Sequence, residues 1–232
     1  MDWNTLTAAS TTAGSLANWA NKSTITSGAG GVADAIIQEA TSWIYQSLRH
    51  WLMLTAPTTG TMTIGTDTIA VPDDMLEPDV FMITGVYKQT LVQKTQEEVL
   101  ANWQYDGSGT RVNQQPVMYF FNQSYIQLDS PPDQAYPYAL TYFQQPAALS
   151  DSNPTNFLTS RYPRLLRAAC MMGVAEWAKE AGQGTFDRTY WMQIAQEAMD
   201  KAQADSDRAK RAAVTGAVFI GGGAPGPSGY HW

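Results

Sequence analysis

Two histidines, one cysteine and two pairs of adjacent carboxylates are the side chains with which this 232-residue chain would have to do chemistry. Neither His50 nor His231 stands in a CxxC or HxxxH context, so the spacing of a zinc site is missing. Asp73/Asp74 and Glu97/Glu98 are neighbours in sequence, and neighbours on a strand or helix point apart. Glycoside cleavage instead opposes two carboxylates drawn from separate chain positions, a pairing that sequence order leaves open. No G-x-S-x-G elbow occurs. Ser27-Gly28-Ala29-Gly30-Gly31 has the glycines of a phosphate cradle, but no strand precedes it and no Lys-Ser/Thr follows. Cys170 lies in an apolar helical run and reads as a buried structural thiol, with no partner for an intrachain disulfide. His50 reads as solvated, or as a side chain facing the C-terminal dipole of a helix. The residues point to a protein that is not an enzyme and that carries no metal and no cofactor.

The elements that would hold these residues follow from periodicity. Residues 3–21 predict a first helix, with Leu6, Ala9, Ala13, Leu16 and Ala20 at helical spacing. Residues 32–54 predict a second, striped by Ala33, Ile36, Ile37, Ala40, Ile44, Leu48 and Trp51 and stopped before Pro57. From Thr58 to about Gln145 the pattern is that of strands. Thr61–Ile64 and Thr68–Val71 predict a hairpin across Gly65-Thr66-Asp67, and Asp79–Val86 a further strand after the Val71–Asp74 turn. Thr95-Gln96-Glu97-Glu98 reads as a capping box opening a short helix to about Trp103. Val117–Phe121 and Tyr125–Leu128 predict a second hairpin, and Tyr138–Phe143 a last strand. Two helices follow, over about 161–181 and 185–211, the back half of the second reading as solvated. The whole is an α+β chain: a helical bundle of about four main helices, with a β-rich antiparallel insertion between the N- and C-terminal helix pairs. The expected divisions are 1–57, 58–147, 148–211 and an extended Gly/Pro tail over 212–232.

Charged residues make up only 15% of the chain and aromatic residues 11%, a balance that suits surfaces covered by partners as well as a polar β-containing domain. Residues 1–160 carry 5 Lys+Arg against 14 Asp+Glu, a net of −9, while residues 161–211 carry 9 against 7. So acidic a body repels a nucleic acid backbone and argues against tight DNA binding. No apolar run reaches the roughly 18 residues of a membrane span. The lone cysteine and the absence of a basic leader at Met1-Asp2-Trp3-Asn4 predict a soluble protein made in a reducing cytoplasm.

The stretch Ala148–Cys170 changes abruptly from turn residues to an apolar helix. Asn153-Pro154-Thr155-Asn156 reads as a fixed turn, Ser160 or Thr159 as the helix cap, and Pro163 as a first-turn proline. Arg161 and Arg164 fall at the same end and are candidates for pairing with carboxylates, in this chain or in a neighbouring subunit. Residues 212–232 contain no Asp, Glu, Lys or Arg, six Gly and two Pro, with Phe219, Ile220, Tyr230 and Trp232 spaced along them. Aromatic anchors on such a string suit a docking arm, or a tail folded back on its own domain.

The order of these segments resembles the head–tail adaptor (connector) proteins of tailed bacteriophages over about residues 3–211. The matching pieces are "MDWNTL", "SLRHWLML", "IAVPDDMLEPDVF", "PVMYFFNQSYIQLDSPPD" and, most specifically, "ALTYFQQPAALSDSNPTNFLTSRYPRLLRAAC". The resemblance implies a structural protein of the virion, assembled in the host cytoplasm. In that family about twelve copies ring the portal exit. It further implies, as partners, the portal protein, a tail nozzle or tail tube protein, tail fibres, and other copies of itself, with genomic DNA passing through unread and no membrane involved. Phe219, Ile220, Tyr230 and Trp232 become the candidate portal anchors, and Arg161 and Arg164 the candidate inter-subunit residues. Two alternatives stand beside it: a gatekeeper or tail-completion protein lower in the neck, and a glycan-binding or glycan-cleaving module suggested by the Trp and Tyr of the strand region.

Overall fold

The computed structural model describes residues 1–28, 31–86, 88–122, 124–182 and 186–221, with side chains to residue 212. The chain is α+β and divides into two compact units, one of residues 1–52 and 147–232, the other of residues 53–146.

The first unit is helical. The expected helix over 3–21 is two short ones, α1 (Trp3–Leu6) and α2 (Leu16–Ala20), because Gly14 takes φ +91° and Ser15 starts a new helix by accepting from the Asn18 amide at 3.0 Å. Helix α3 (Ala33–Ser47) buries the expected Ala33, Ile36, Ile37, Ala40 and Ile44, but stops before 54. Leu48 turns extended, Arg49 Nη1 donates to the Tyr45 carbonyl at 2.9 Å, and a 3-10 turn (Trp51–Met53) follows. The helix predicted over 161–181 is α6 (Pro163–Glu180), and a short helix not predicted, α5 (Phe157–Arg161), precedes it. Helix α6 is central: α3 and α7 (Arg188–Gly221) both pack against it. It therefore buries side chains almost all round, Leu165, Leu166, Ala169, Cys170, Met171 and Val174 among them. Gly173 lets α3 close in, since a Cβ there would meet Ile36 Cγ2 at 3.0 Å. Three helices, rather than four, exceed ten residues among the described residues.

The second unit contains two four-stranded sheets. One has the order β1 (Thr58–Thr61), β8 (Pro137–Gln144), β3 (Met75–Ile83), β4 (Gln89–Thr90). The other has the order β2 (Thr68–Ala70), β7 (Tyr125–Leu128), β6 (Met118–Asn122), β5 (Val92–Gln93). All pairings are antiparallel except β5 with β6, so the insertion is mixed where antiparallel was expected. The β6–β7 hairpin forms as predicted, with Phe121 opposite Ile126.

The hairpin predicted across Gly65-Thr66-Asp67 does not form. Of the first arm only Thr61 lies in a strand, the end of β1 beside β8, while the second arm is β2 beside β7 in the other sheet. Between them the Met62 amide donates to the Tyr136 carbonyl and the Gly65 amide to that of Pro132, so the linking backbone is satisfied from elsewhere. Strand β3 begins at Met75, earlier than expected, and absorbs Pro78 at a register shift, the position a strand tolerates for a residue without N–H. A core of Phe81, Ile83, Leu91, Tyr119, Ile126, Leu128, Leu140 and Tyr142 holds the unit together. Helix α4 (Gln96–Ala101) opens with the predicted capping box, Thr95 and Glu98 each bonding the other's backbone amide.

Candidate docking surfaces

The turn that positions the two arginines is built by asparagines. Asn153 and Ser150 exchange backbone bonds at 3.1 Å, and Asn153 Nδ2 donates to the Ala148 carbonyl at 2.9 Å. Pro154 then offers its carbonyl to the Trp3 amide at 2.8 Å, and the Trp3 indole donates to Asp151 Oδ1 at 3.0 Å. The cap expected for the helix over 161–181, Ser160 or Thr159, lies inside α5, whose own cap is Asn156. Its Oδ1 accepts from the Leu158 and Thr159 amides, while Thr159 Oγ1 accepts from the Asn156 amide at 2.9 Å. Ser160 stands two residues before the cap position of α6, which falls to Tyr162, because the residue before a proline is pushed out of helical geometry and Tyr162 takes φ −124°. The helix therefore breaks at Tyr162 and restarts with Pro163 in the first turn of α6.

Arg161 ends α5 and Arg164 sits in the first turn of α6. The structure brings both to one groove of about 510 Å³, whose walls include Tyr162, Leu165, Glu197, Lys201 and Asp205. Arg164 Nη2 lies 3.8 Å from Glu197 Oε2, both side chains largely exposed. Arg161 places its guanidinium 5.8 Å from the centre of the Trp51 ring. Positive side chains at a helix N-terminus face the positive end of its dipole, and α6 has no side-chain cap there. The groove thus combines three cations, Arg161, Arg164 and Lys201, and two carboxylates, Glu197 and Asp205, with the apolar and aromatic surfaces of Leu165 and Tyr162.

Behind the groove lies a residue that periodicity misplaced. His50 is fully buried, where a solvated or dipole-facing role was expected. Its Nδ1 accepts from the Leu52 amide at 3.2 Å, so the ring proton is on Nε2, which donates to Tyr162 Oη at 3.0 Å. Phe157 stacks on the imidazole at 5.5 Å. Burial, and secondarily the Arg161 charge, hold its pKa below the usual histidine value, against an opposing pull from Asp205. Next to it the Trp51 amide donates to Ser206 Oγ at 2.9 Å. Ser206 and Ala202 are buried, so the half of α7 expected to be solvated has a packed face at least this far. The signal that was available is an aromatic-rich pair of stretches, His50-Trp51 and Phe157 to Tyr162, matching across the helical unit.

Of the candidate tail anchors, Phe219 and Ile220 fall within the backbone of α7, so residues 212–221 are helical and not extended. Tyr230 and Trp232 lie outside the described residues. In the β unit, the aromatic density is taken up mainly by packing. Tyr119, Tyr136 and Tyr142 are buried, and the Trp103 ring carries the Arg111 guanidinium at 3.6 Å. Arg111 also pairs with Asp67 and donates to the Asp129 carbonyl at 3.3 Å. Cys170 is fully buried, and burial pushes its thiol up to about 12. No helix among the described residues is long and apolar enough to cross a membrane.

The family model described as SU10 adaptor protein matches residues 6–217 of this chain. No curated protein matches it. The chain belongs to the SU10 adaptor protein family, structural head–tail adaptors of bacteriophages.

Proposed function

We propose that this member of the SU10 adaptor family forms a ring of about twelve copies under the portal, extends the DNA channel and docks the next tail component. Helix α7 carries this reading. It is 34 residues long, about 51 Å. The contacts Arg188 with Glu176 and Arg164 with Glu197 set α6 and α7 antiparallel, so α7 outruns the start of α6 after about Asp205. Its final turns, residues 212–221, contain no charged side chain. A helix end of Ala, Val, Phe and Ile gains from burial against another protein, at about 25 cal/mol per Å² of apolar surface removed from water. The portal is the partner assigned to this arm, with Phe219 and Ile220 as anchors on the helix and Tyr230 and Trp232 beyond it. A channel that conducts DNA without holding it is supported by the acidic balance of the chain, −7 overall. Assembly in the host cytoplasm and residence in the virion neck follow from that role.

The test is co-sedimentation of the full chain with portal rings, followed by electron microscopy of the complex. The expected result is a ring on the portal for the full chain and none after deletion of residues 212–232. A deletion variant that binds the portal as well as the full chain would remove the docking role of α7.

A further inference from the structure

The arginine groove has a matching surface elsewhere in the same chain. The helical unit is balanced, with 11 Lys+Arg against 11 Asp+Glu, whereas the β unit holds 3 against 10 and so carries the whole net charge of −7. Four of those ten carboxylates, Asp73, Asp74, Glu77 and Asp79, fall within seven residues and are all exposed. The first two sit on a tight turn, closed by the Met75 amide donating to the Pro72 carbonyl at 3.0 Å. Tyr142 Oη donates to Asp74 Oδ1 at 3.0 Å, which braces the turn against β8. The turn is therefore a narrow, preformed acidic tip. To such a tip, the groove at the start of α6 offers Arg161, Arg164 and Lys201, one positive charge more than the Glu197 and Asp205 that share its walls with Tyr162 and Leu165.

We infer that the groove formed by Arg161, Arg164 and Lys201 receives the Asp73–Asp74 turn of a second copy of this chain. Groove and turn are different patches, so the contact is heterologous: each copy gives its turn to one neighbour and its groove to the other, and repetition of the step closes a ring. The pairing complements the positive end of the α6 dipole, which the chain leaves without a side-chain cap. Carboxylates against guanidinium groups also fix the register between copies, because a shifted contact would bring like charges together. The inference rests on the ring proposed above and names the surfaces that close it.

Complementary charge reversals test it. Variant one is Arg161→Glu with Arg164→Glu; variant two is Asp73→Lys with Asp74→Lys. Each alone should associate at least about tenfold more weakly than the wild type in sedimentation velocity, with or without portal rings. An equimolar mixture should regain assembly, because in an alternating ring every groove then meets a turn of opposite sign. Should reversal at Arg164 unsettle α7 through Glu197, shown by a lowered melting temperature, the single variants Arg161→Glu and Asp73→Lys replace the doubles. Wild-type rings accompanied by undiminished assembly of both variants, or by a mixture no better than its parts, would overturn the contact while leaving the ring in place. Absence of wild-type rings under any condition would instead overturn the adaptor ring itself.

Discussion

His50 Nε2 and Tyr162 Oη lie 3.0 Å apart, with the two rings at 72°, and this pair ties the chain just beyond α3 to the break between α5 and α6. The imidazole has its other nitrogen occupied by the Leu52 amide. A proton added at Nδ1 would therefore displace a backbone donor as well as place a charge in a buried site.

Stability should accordingly depend on pH near neutrality. A histidine whose folded pKa is depressed binds fewer protons folded than unfolded, so its contribution is present above the unfolded value of about 6.5 and is lost as pH falls toward the folded value. Melting temperature should decline between pH 7.5 and 5.5, and His50→Gln should flatten that decline while lowering the melting temperature at pH 7.5. An unchanged slope in the variant would assign the dependence to other groups.

Asn156 caps α5 and also donates from Nδ2 to Tyr45 Oη at 2.7 Å. Asn156→Ala should cost about 1–2 kcal/mol in urea denaturation, the upper range for a cap because a second bond goes with it. Asn156→Ser should retain a cap but cannot reach Tyr45, so its stability should fall between those of Asn156→Ala and the wild type.

Gly60 has no room for a side chain. A Cβ there would stand 2.5 Å from Tyr138 Oη and Cζ, and Tyr138 meets Phe81 edge-on at 5.4 Å. Gly60→Ala should lower the stability of the β unit by about 1–3 kcal/mol. Gly60→Ala combined with Tyr138→Leu should recover part of it, which a purely conformational effect of removing glycine would not allow.

Arg111 reaches Asp67, the Asp129 carbonyl and the Trp103 face at once, which requires a planar fork of donors. Arg111→Lys should therefore behave almost like Arg111→Ala, each costing about 1.5–3 kcal/mol, and both should shift the tryptophan emission.

The fold was legible in the sequence where periodicity and local chemistry agree. The stripe of α3, the Thr95–Glu98 capping box and the β6–β7 hairpin all have their causes within a dozen residues. What escaped has distant causes. Thr61–Ile64 and Thr68–Val71 look like two arms of one hairpin, but partners at 137–140 and 125–127 draw the strands to Thr58–Thr61 and Thr68–Ala70, in separate sheets. His50 reads as solvated because its burial depends on Phe157, Tyr162 and α7, more than a hundred residues away. The sequence places the two arginines at one end of a helix; that α7 supplies the far wall of a groove beside them is not legible there.

Both ends of the β unit are fastened to each other. Leu54 bridges Phe143, the Thr55 amide donates to the Tyr142 carbonyl at 3.0 Å, and Thr55 Oγ1 accepts from the Tyr142 amide at 3.2 Å. A segment whose two termini are stitched side by side behaves as a cassette: it can be exchanged for another of different length without lengthening the gap its host must bridge. Residues 53–146 can thus change in length without altering the distance between the two points at which they leave and rejoin the helical unit.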